Sequence, residues 1–359
     1  MQNLEQQIAR LFVVGFDGTQ PDPTLGTLLQ NGLGGVILFS RNLPDVDTAL
    51  DLNRQLMERA QGPCLLCLDQ EGGRVQRLPP PILQLPPMRY LGETGDVALC
   101  RTTGKQLGAE LAAAGFHMNL APVLDVDSNP QNPVIGDRAF GKSPDIVAAL
   151  GVAFGLGLQE SGVASCAKHF PGHGDTSQDS HCTLPDLDVD ISRLHEQELL
   201  PFKVAAEAGI AAFMMAHLRV AALDPSQACS LSESAYRLAR AEVGFAGPIL
   251  TDDLEMKAVA DDPGVVKAAL MAIAAGADAV LICNHPDVAA SAIQEITAAV
   301  ERGELPRGRI EQANHRLDRL HRAYAFDKRR PDPTKLSELI NSSSRRTLEQ
   351  RLATLALVT

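Results

Sequence analysis

Eight short apolar runs recur along the chain, and most are continuous rather than alternating: LFVVGF (11–16), GVILF (35–39), CLLCLD (64–69), MNLAPVLDV (118–126), SCAKHF (165–170), AAFMMAH (211–217), GPILTDD (247–253) and DAVLIC (278–283). Strands covered on both faces of a parallel sheet have this pattern, because neither face meets water. Between most of the runs lie segments rich in helix formers with apolar residues at helical spacing, at 48–62, 145–162 and 264–277, with a further helix near 97–114. Gly162 and Gly276 suit helix C-termini ahead of the next strand. Eight strands alternating with helices predict a single α/β domain, a (β/α)8 barrel over residues 1–326. A doubly wound open sheet is the competing fold. A Gly-x-Gly-x-x-Gly turn after the first strand would favour it, and the sequence has none.

Two stretches fall outside the repeat. PPPILQLPP (79–87) cannot be helical and is expected to wrap the barrel surface. Beyond Phe326, DKRRPDPTK (327–335) resembles a linker, and 344–357 places Leu348, Leu352 and Leu355 on one helical face. Residues 327–359 are therefore expected to form a linker and a short helical tail docked on the barrel.

Composition narrows the function classes. The 359 residues carry a net charge of −12, which argues against a nucleic-acid footprint. No apolar run is long enough for a transmembrane helix, and the N-terminus lacks a signal-peptide pattern. The seven cysteines are odd in number and mostly lie in apolar runs, which suits a reducing cytoplasm. The Cys64-Leu65-Leu66-Cys67 spacing is read as packing rather than redox chemistry.

In such a barrel, function gathers at the C-terminal ends of the strands. Six of the runs end in polar residues: Asp69, Asp125 and Asp127, Lys168-His169, His217, Asp252-Asp253 and Asn284-His285. Packing alone does not explain that recurrence. The richest loop is KHFPGHGDTSQDSH (168–181). His169 and His173 have the spacing of a helical zinc pair, but Pro171 and Gly172 interrupt any helix and no standard ligand set follows. A loop of fixed shape is expected, with His173 structural. Asp179 and His181 could form a proton-transfer pair, although spacing alone favours an ordinary solvated Asp and His.

Four segments carry a resemblance: DQEGGRVQRL (69–78), NPVIGDRAF (132–140), KHFPGHGDT…DSH (168–181) and TDDLEM (251–256). In that order they resemble glycoside hydrolase family 3, and its bacterial β-N-acetylglucosaminidase branch in particular, over roughly residues 1–325. The resemblance implies that Asp252 is the nucleophile and that His181, with Asp179, is the acid/base unit. It implies that Asp69, Arg77, Arg138, Lys168 and His169 bind the terminal sugar. Strand alternation makes Asp253 the weaker nucleophile. The chain is too short for the second, sandwich domain of wider relatives. The implied activity is an exo-acting, retaining β-N-acetylglucosaminidase on N-acetylglucosamine-capped muropeptides. The protein is expected to be a cytoplasmic monomer with no metal or organic cofactor and no nucleic-acid or membrane partner. A β-glucosidase or β-xylosidase of the same family is the nearest alternative. A phosphosugar aldolase or isomerase would need a Gly-rich phosphate turn after strand seven or eight, which is missing. A sugar-binding protein without catalysis is the alternative from another class.

Overall fold

Each of the eight runs forms a strand: β1 (Phe12–Val14), β2 (Gly35–Leu38), β3 (Leu65–Leu68), β4 (Met118–Asn119), β5 (Ala164–Phe170), β6 (Ala212–Met215), β7 (Ile249–Asp253) and β8 (Ala279–Ile282). All neighbours pair in parallel, and β8 returns to β1 with Phe12 opposite Val280, so the sheet closes into a barrel. The computed structural model describes residues 3–180 and 183–355. Strands β2, β3, β5, β6 and β8 are buried along their whole length, which accounts for their continuous apolar sequence. The expected helices are present at Val46–Arg59, Val97–Ala113, Pro144–Glu160 and Val265–Ala275. Gly162 and Gly276 follow two of them with φ of 81° and 139°, a region open chiefly to glycine.

The strand expected at 118–126 is shorter, only Met118–Asn119. Pro122 lacks an N–H, and beyond it the chain continues as single contacts with β5, Leu124 N–H donating to the Lys168 carbonyl. Two other pairings shift register, between Ala167 and Phe170 and between Leu250 and Asp253. Such irregularities re-aim side chains and gather near functional mouths. Here they fall on the residues that carry Lys168, His169, Asp252 and Asp253.

The stretch 327–335 is not a free linker. Arg329 donates to the carbonyls of Phe116 and Gly162, each at 2.6 Å, and Asp332 caps a helix at Pro333–Ile340. The last helix, Ser343–Leu355, buries Leu348 and Leu352, as the leucine spacing predicts. It also buries Arg345, which donates to Glu110 (3.2 Å) and to the Pro81 carbonyl (2.8 Å). Glu110 in turn accepts from Leu83 N–H at 2.7 Å. The Pro-rich connection is thus tied down by the tail. The six described cysteines are all buried free thiols, and burial pushes Cys64 up to about 12, in keeping with packing.

Candidate active site

The turn after β3 is built first by an amide. Gln70 Oε1 accepts from the Arg77 and Leu78 N–H groups at 2.8 and 3.0 Å. Its backbone is clasped by Asn119 of β4, which exchanges two hydrogen bonds with it. That closed turn fixes Asp69, Glu71 and Arg77 at the strand end. Lys168 Nζ reaches both carboxylates, 2.6 Å from Asp69 Oδ1 and 2.6 Å from Glu71 Oε1. Arg138 grips Glu71 with two donors, Nε at 2.8 Å and Nη2 at 2.9 Å. Arg77 Nη2 lies 3.1 Å from Asp69 Oδ2. Burial alone would raise both carboxyls, but Lys168 with Arg77 holds Asp69 below its ordinary value, and Arg138 with Lys168 does the same for Glu71. Lys168 is correspondingly raised: burial opposes its charge, and Asp69 and Glu71 more than restore it.

A second unit sits beside the first. Asp125 is fully buried and accepts from His169 Nδ1 at 2.7 Å and from the His173 N–H at 2.7 Å. An ionised carboxylate only accepts, so Nδ1 of His169 carries the proton and Nε2 is the ring atom left for a ligand. Asp125 stays low despite burial because of the His169 charge and hydrogen bond. His173 pairs with Thr176 Oγ1 at 2.8 Å and Ser180 Oγ at 3.3 Å. Burial pushes it down, so its ring is neutral at pH 7. The two histidines are therefore committed to different partners. No metal-holding group of three or more His, Cys, Asp or Glu side chains is found among the described residues.

The loop 171–180 has the fixed shape its glycines and proline predict. A Cβ on Gly174 would lie 1.8 Å from the Val126 carbonyl oxygen, and Gly172 has a φ of 134°. Asn132 adds a clamp, donating to the carbonyls of His173 and Gly174. The loop brings Asp179 and Ser180 to the mouth. His181 lies outside the described residues.

At the end of β7, Asp252 Oδ1 accepts from Asp253 N–H at 2.8 Å. Burial raises its carboxyl, but the positive charge of His169 and His217 outweighs that and holds it below its usual value. Lys168 adds a smaller contribution in the same direction, while Arg77 and Arg138 are engaged by Asp69 and Glu71. The alternation argument for Asp253 also needs correcting. The register shift lets both aspartates line the mouth. They differ in environment instead: Asp253 Oδ1 is turned to the N–H groups of Glu255 (3.0 Å) and Cys283 (3.1 Å). Burial, with help from Glu255 and Asp252, pushes it up to about 6. His217 braces the strand from β6, its Nε2 donating to the Asp253 carbonyl at 2.8 Å.

These groups surround one cavity of about 350 Å3 at the C-terminal mouth, with Phe39, Met214 and Leu281 as apolar wall. Asp69, Arg77, Arg138, Lys168, His169, Asp179 and Asp252 all line it, so seven of the residues singled out from sequence converge. Sequence reasoning missed Glu71 and did not assign Asp125 or His217 a partner. A usable signal for Glu71 was present: a lysine and an arginine buried at strand ends need carboxylates, and Glu71 is the next acidic residue after Asp69.

A charged, sugar-sized recess at the mouth of an eightfold barrel, facing an ionised strand-end carboxylate, marks the class as a barrel glycoside hydrolase. Comparison with known proteins narrows it. Residues 3–320 match the model of the glycosyl hydrolase family 3 N-terminal domain. The chain is 38% identical over 303 residues to a protein from Nitrosomonas eutropha named Beta-hexosaminidase, covering 82% of this chain and 87% of that one. Among solved structures, a family 3 β-N-acetylglucosaminidase from a Paenibacillus species superposes with a TM-score of 0.95 at 35% identity, over 99% of this chain and 69% of that one. NagZ from Neisseria gonorrhoeae, solved with N-trifluoroacetyl-D-glucosamine, superposes with a TM-score of 0.82 at 28% identity, over 96% and 98% of the two chains. The protein belongs to glycoside hydrolase family 3.

Proposed function

We propose that the protein is a retaining exo-β-N-acetylglucosaminidase, releasing terminal β-linked N-acetylglucosamine from peptidoglycan-derived muropeptides during cytoplasmic cell-wall recycling. The observation that carries this reading is Asp252, held ionised at the edge of a cavity whose opposite charges are already paired. A retaining enzyme needs such a carboxylate to attack the anomeric carbon and form a glycosyl ester. Asp69, Arg77, Arg138, Lys168 and His169 bind the ring hydroxyls, and the cavity's volume suits one terminal sugar better than an internal segment of a chain. His181, oriented by Asp179, protonates the leaving oxygen and later takes a proton from water. A histidine is cationic before the transfer and neutral after it, so no carboxylate faces the departing anionic muropeptide. No metal or cofactor enters the cycle, and the enzyme acts as a monomer on a small soluble substrate. The names of the curated relatives and the N-acyl glucosamine bound by the neisserial protein support the choice of sugar.

Paired 4-nitrophenyl β-glycosides differing only at C2 provide the test. The acetamido compound should be turned over well and the hydroxyl compounds poorly. The reverse order would move the protein to the β-glucosidase or β-xylosidase group. A 5-fluoro glycosyl fluoride should label Asp252, located by peptide mass mapping.

A further inference from the structure

The opposite end of the barrel holds a second concentration of charge. Asp278, just ahead of β8, is fully buried and faces three guanidiniums: Arg240 Nη2 at 2.5 Å, Arg309 Nη2 at 3.1 Å and Arg316 Nη1 at 3.0 Å. One carboxylate among three cations leaves an excess of two positive charges in a poorly solvated place. Burial, opposed by Asp278 but aided by the charges of Arg316 and Arg309, pushes Arg240 down to about 10.

Two of the three arginines have a structural role. Arg240 Nη1 donates to the carbonyls of Phe245 (2.9 Å) and Gly247, and Arg309 to those of Ile273 (2.9 Å) and Ala277. Arg316 is different. Only its Nη1 has an acceptor among the described residues; Nε and Nη2 have none. It opens onto a cavity of about 490 Å3 between the helix Arg307–Tyr324 and the residues that lead into β6 and β7. Arg319 and Arg322, on the same helix, line the same cavity, are exposed, and make no ion pair among the described residues. No carboxylate lines the cavity among the described residues, and its remaining wall is mainly apolar, including Ile210, Phe245 and Leu320. This is a cationic recess on a protein of net charge −12.

We propose that this recess binds the phosphate monoester of a small organic molecule, with the phosphate held by Arg316, Arg319 and Arg322 and the organic part against Phe245, Ile210 and Leu320. Planar guanidiniums present parallel donors that match phosphate oxygens. A dianion matches the two charges of Arg319 and Arg322, which have no carboxylate partner among the described residues and which a single carboxylate would leave half-compensated. The apolar wall adds area that inorganic phosphate could not use. The cavity lies at the N-terminal ends of the strands, away from the glycosidase mouth, so the proposal does not depend on the sugar specificity of that mouth.

Isothermal titration of the full-length protein tests it, with adenosine 5′-monophosphate, glucose 6-phosphate and inorganic phosphate, in chloride of matched ionic strength. The expected result is saturable one-to-one binding of at least one ester, more tightly than of inorganic phosphate. Binding should weaken tenfold or more in the double variant Arg319→Ser, Arg322→Ser. Both positions are exposed, so that variant should keep the wild-type melting temperature and nitrophenyl glycoside turnover without ligand. Absence of saturable binding, or equal affinity in wild type and variant, would overturn the site. Inorganic phosphate binding as tightly as both esters would overturn the assignment of an organic ligand.

Discussion

Replacing Lys168 with methionine tests the charged wall of the mouth in both stability and catalysis. The side chain keeps its length and loses its charge. Lys168 is 3% exposed at its side chain and bonds two buried carboxylates at 2.6 Å each. Removing one partner of a buried ion pair costs about 3–5 kcal/mol. Here Glu71 keeps both Arg138 contacts and Asp69 keeps Arg77, so the lower end applies, about 3 kcal/mol. With an unfolding entropy near 2.1 cal/mol/K per residue over 359 residues, that lowers the melting temperature by roughly 4 °C at pH 7. The loss should depend on pH. Asp69 and Glu71 are both held below their ordinary values, so they stabilise the fold above about pH 4.5, and that stability fades as acid protonates the unfolded chain. Without Lys168 their folded values rise toward those of the unfolded chain. The gap between wild type and variant is therefore widest at neutral pH, begins to narrow below about pH 4, and closes only as the pH falls through the folded values. In catalysis, a lost charge-assisted hydrogen bond of roughly 1.5–3 kcal/mol lowers kcat/KM by about one to two powers of ten. Differential scanning calorimetry from pH 3.5 to 8 and nitrophenyl glycoside kinetics measure both. A variant with wild-type melting at pH 7, or a gap that does not change with pH, would refute the reasoning about the wall.

Asp252→Asn should lose nearly all turnover while melting like a folded protein, because an amide cannot form the glycosyl ester; turnover retained by this variant, checked by the same kinetics, would exclude Asp252 as nucleophile. Asp253→Asn should behave in the opposite way. Its Oδ1 can still accept from Glu255 and Cys283, and the change removes a carboxyl raised from 3.8 to about 6, which costs stability as pH rises through that window. The variant should gain in melting temperature over wild type between about pH 4 and 6 and hold the gain at pH 8. His181→Ala should lower kcat/KM by about 10²–10⁴-fold on a disaccharide and far less on a nitrophenyl glycoside, with azide restoring turnover and giving a β-glycosyl azide; an equal loss on both substrates without azide rescue would make His181 structural. Arg345→Met leaves Glu110 buried without its cation and should cost about 3 kcal/mol, seen as lower melting with little change in kcat/KM; a large fall in kcat/KM instead would give the tail a part in shaping the mouth.

The sequence was sufficient for the barrel because its information is periodic and local. Strands covered on both faces must be continuously apolar, and helices between them must turn one apolar stripe inward, so eight repeats of that alternation leave few closures. It was also sufficient for most of the mouth. Polar residues that interrupt an apolar run at its C-terminal end have nowhere to go but the barrel's open end, and Asp69, Lys168, His169 and Asp252 were legible for that reason. The tail helix announced itself through Leu348 and Leu352, and the loop 171–180 through its glycines and proline.

Partners across sequence distance could not be read in this way. Glu71 meets Arg138 and Lys168, and Asp125 meets His169, only after separate strands are brought side by side. The contrast between Asp252 and Asp253 is a tertiary property as well. Strict alternation would have put them on opposite sides, but the β7–β8 register shift turns both to the mouth; His169 of β5 and His217 beyond β6 hold Asp252 down, whereas burial, with Glu255 and Asp252, pushes Asp253 up. The stretch 327–335 has linker composition and is held because Arg329 finds two carbonyls more than a hundred residues away. The three arginines on Asp278 likewise show no motif, since Arg240 comes from a different part of the chain from Arg309 and Arg316 and all three meet Asp278 only in the folded barrel. Local composition and periodicity dictate which elements form and which ends are polar. Ion pairs, shifted acidities and cavities depend on distances through space, and those exist only once the barrel has closed.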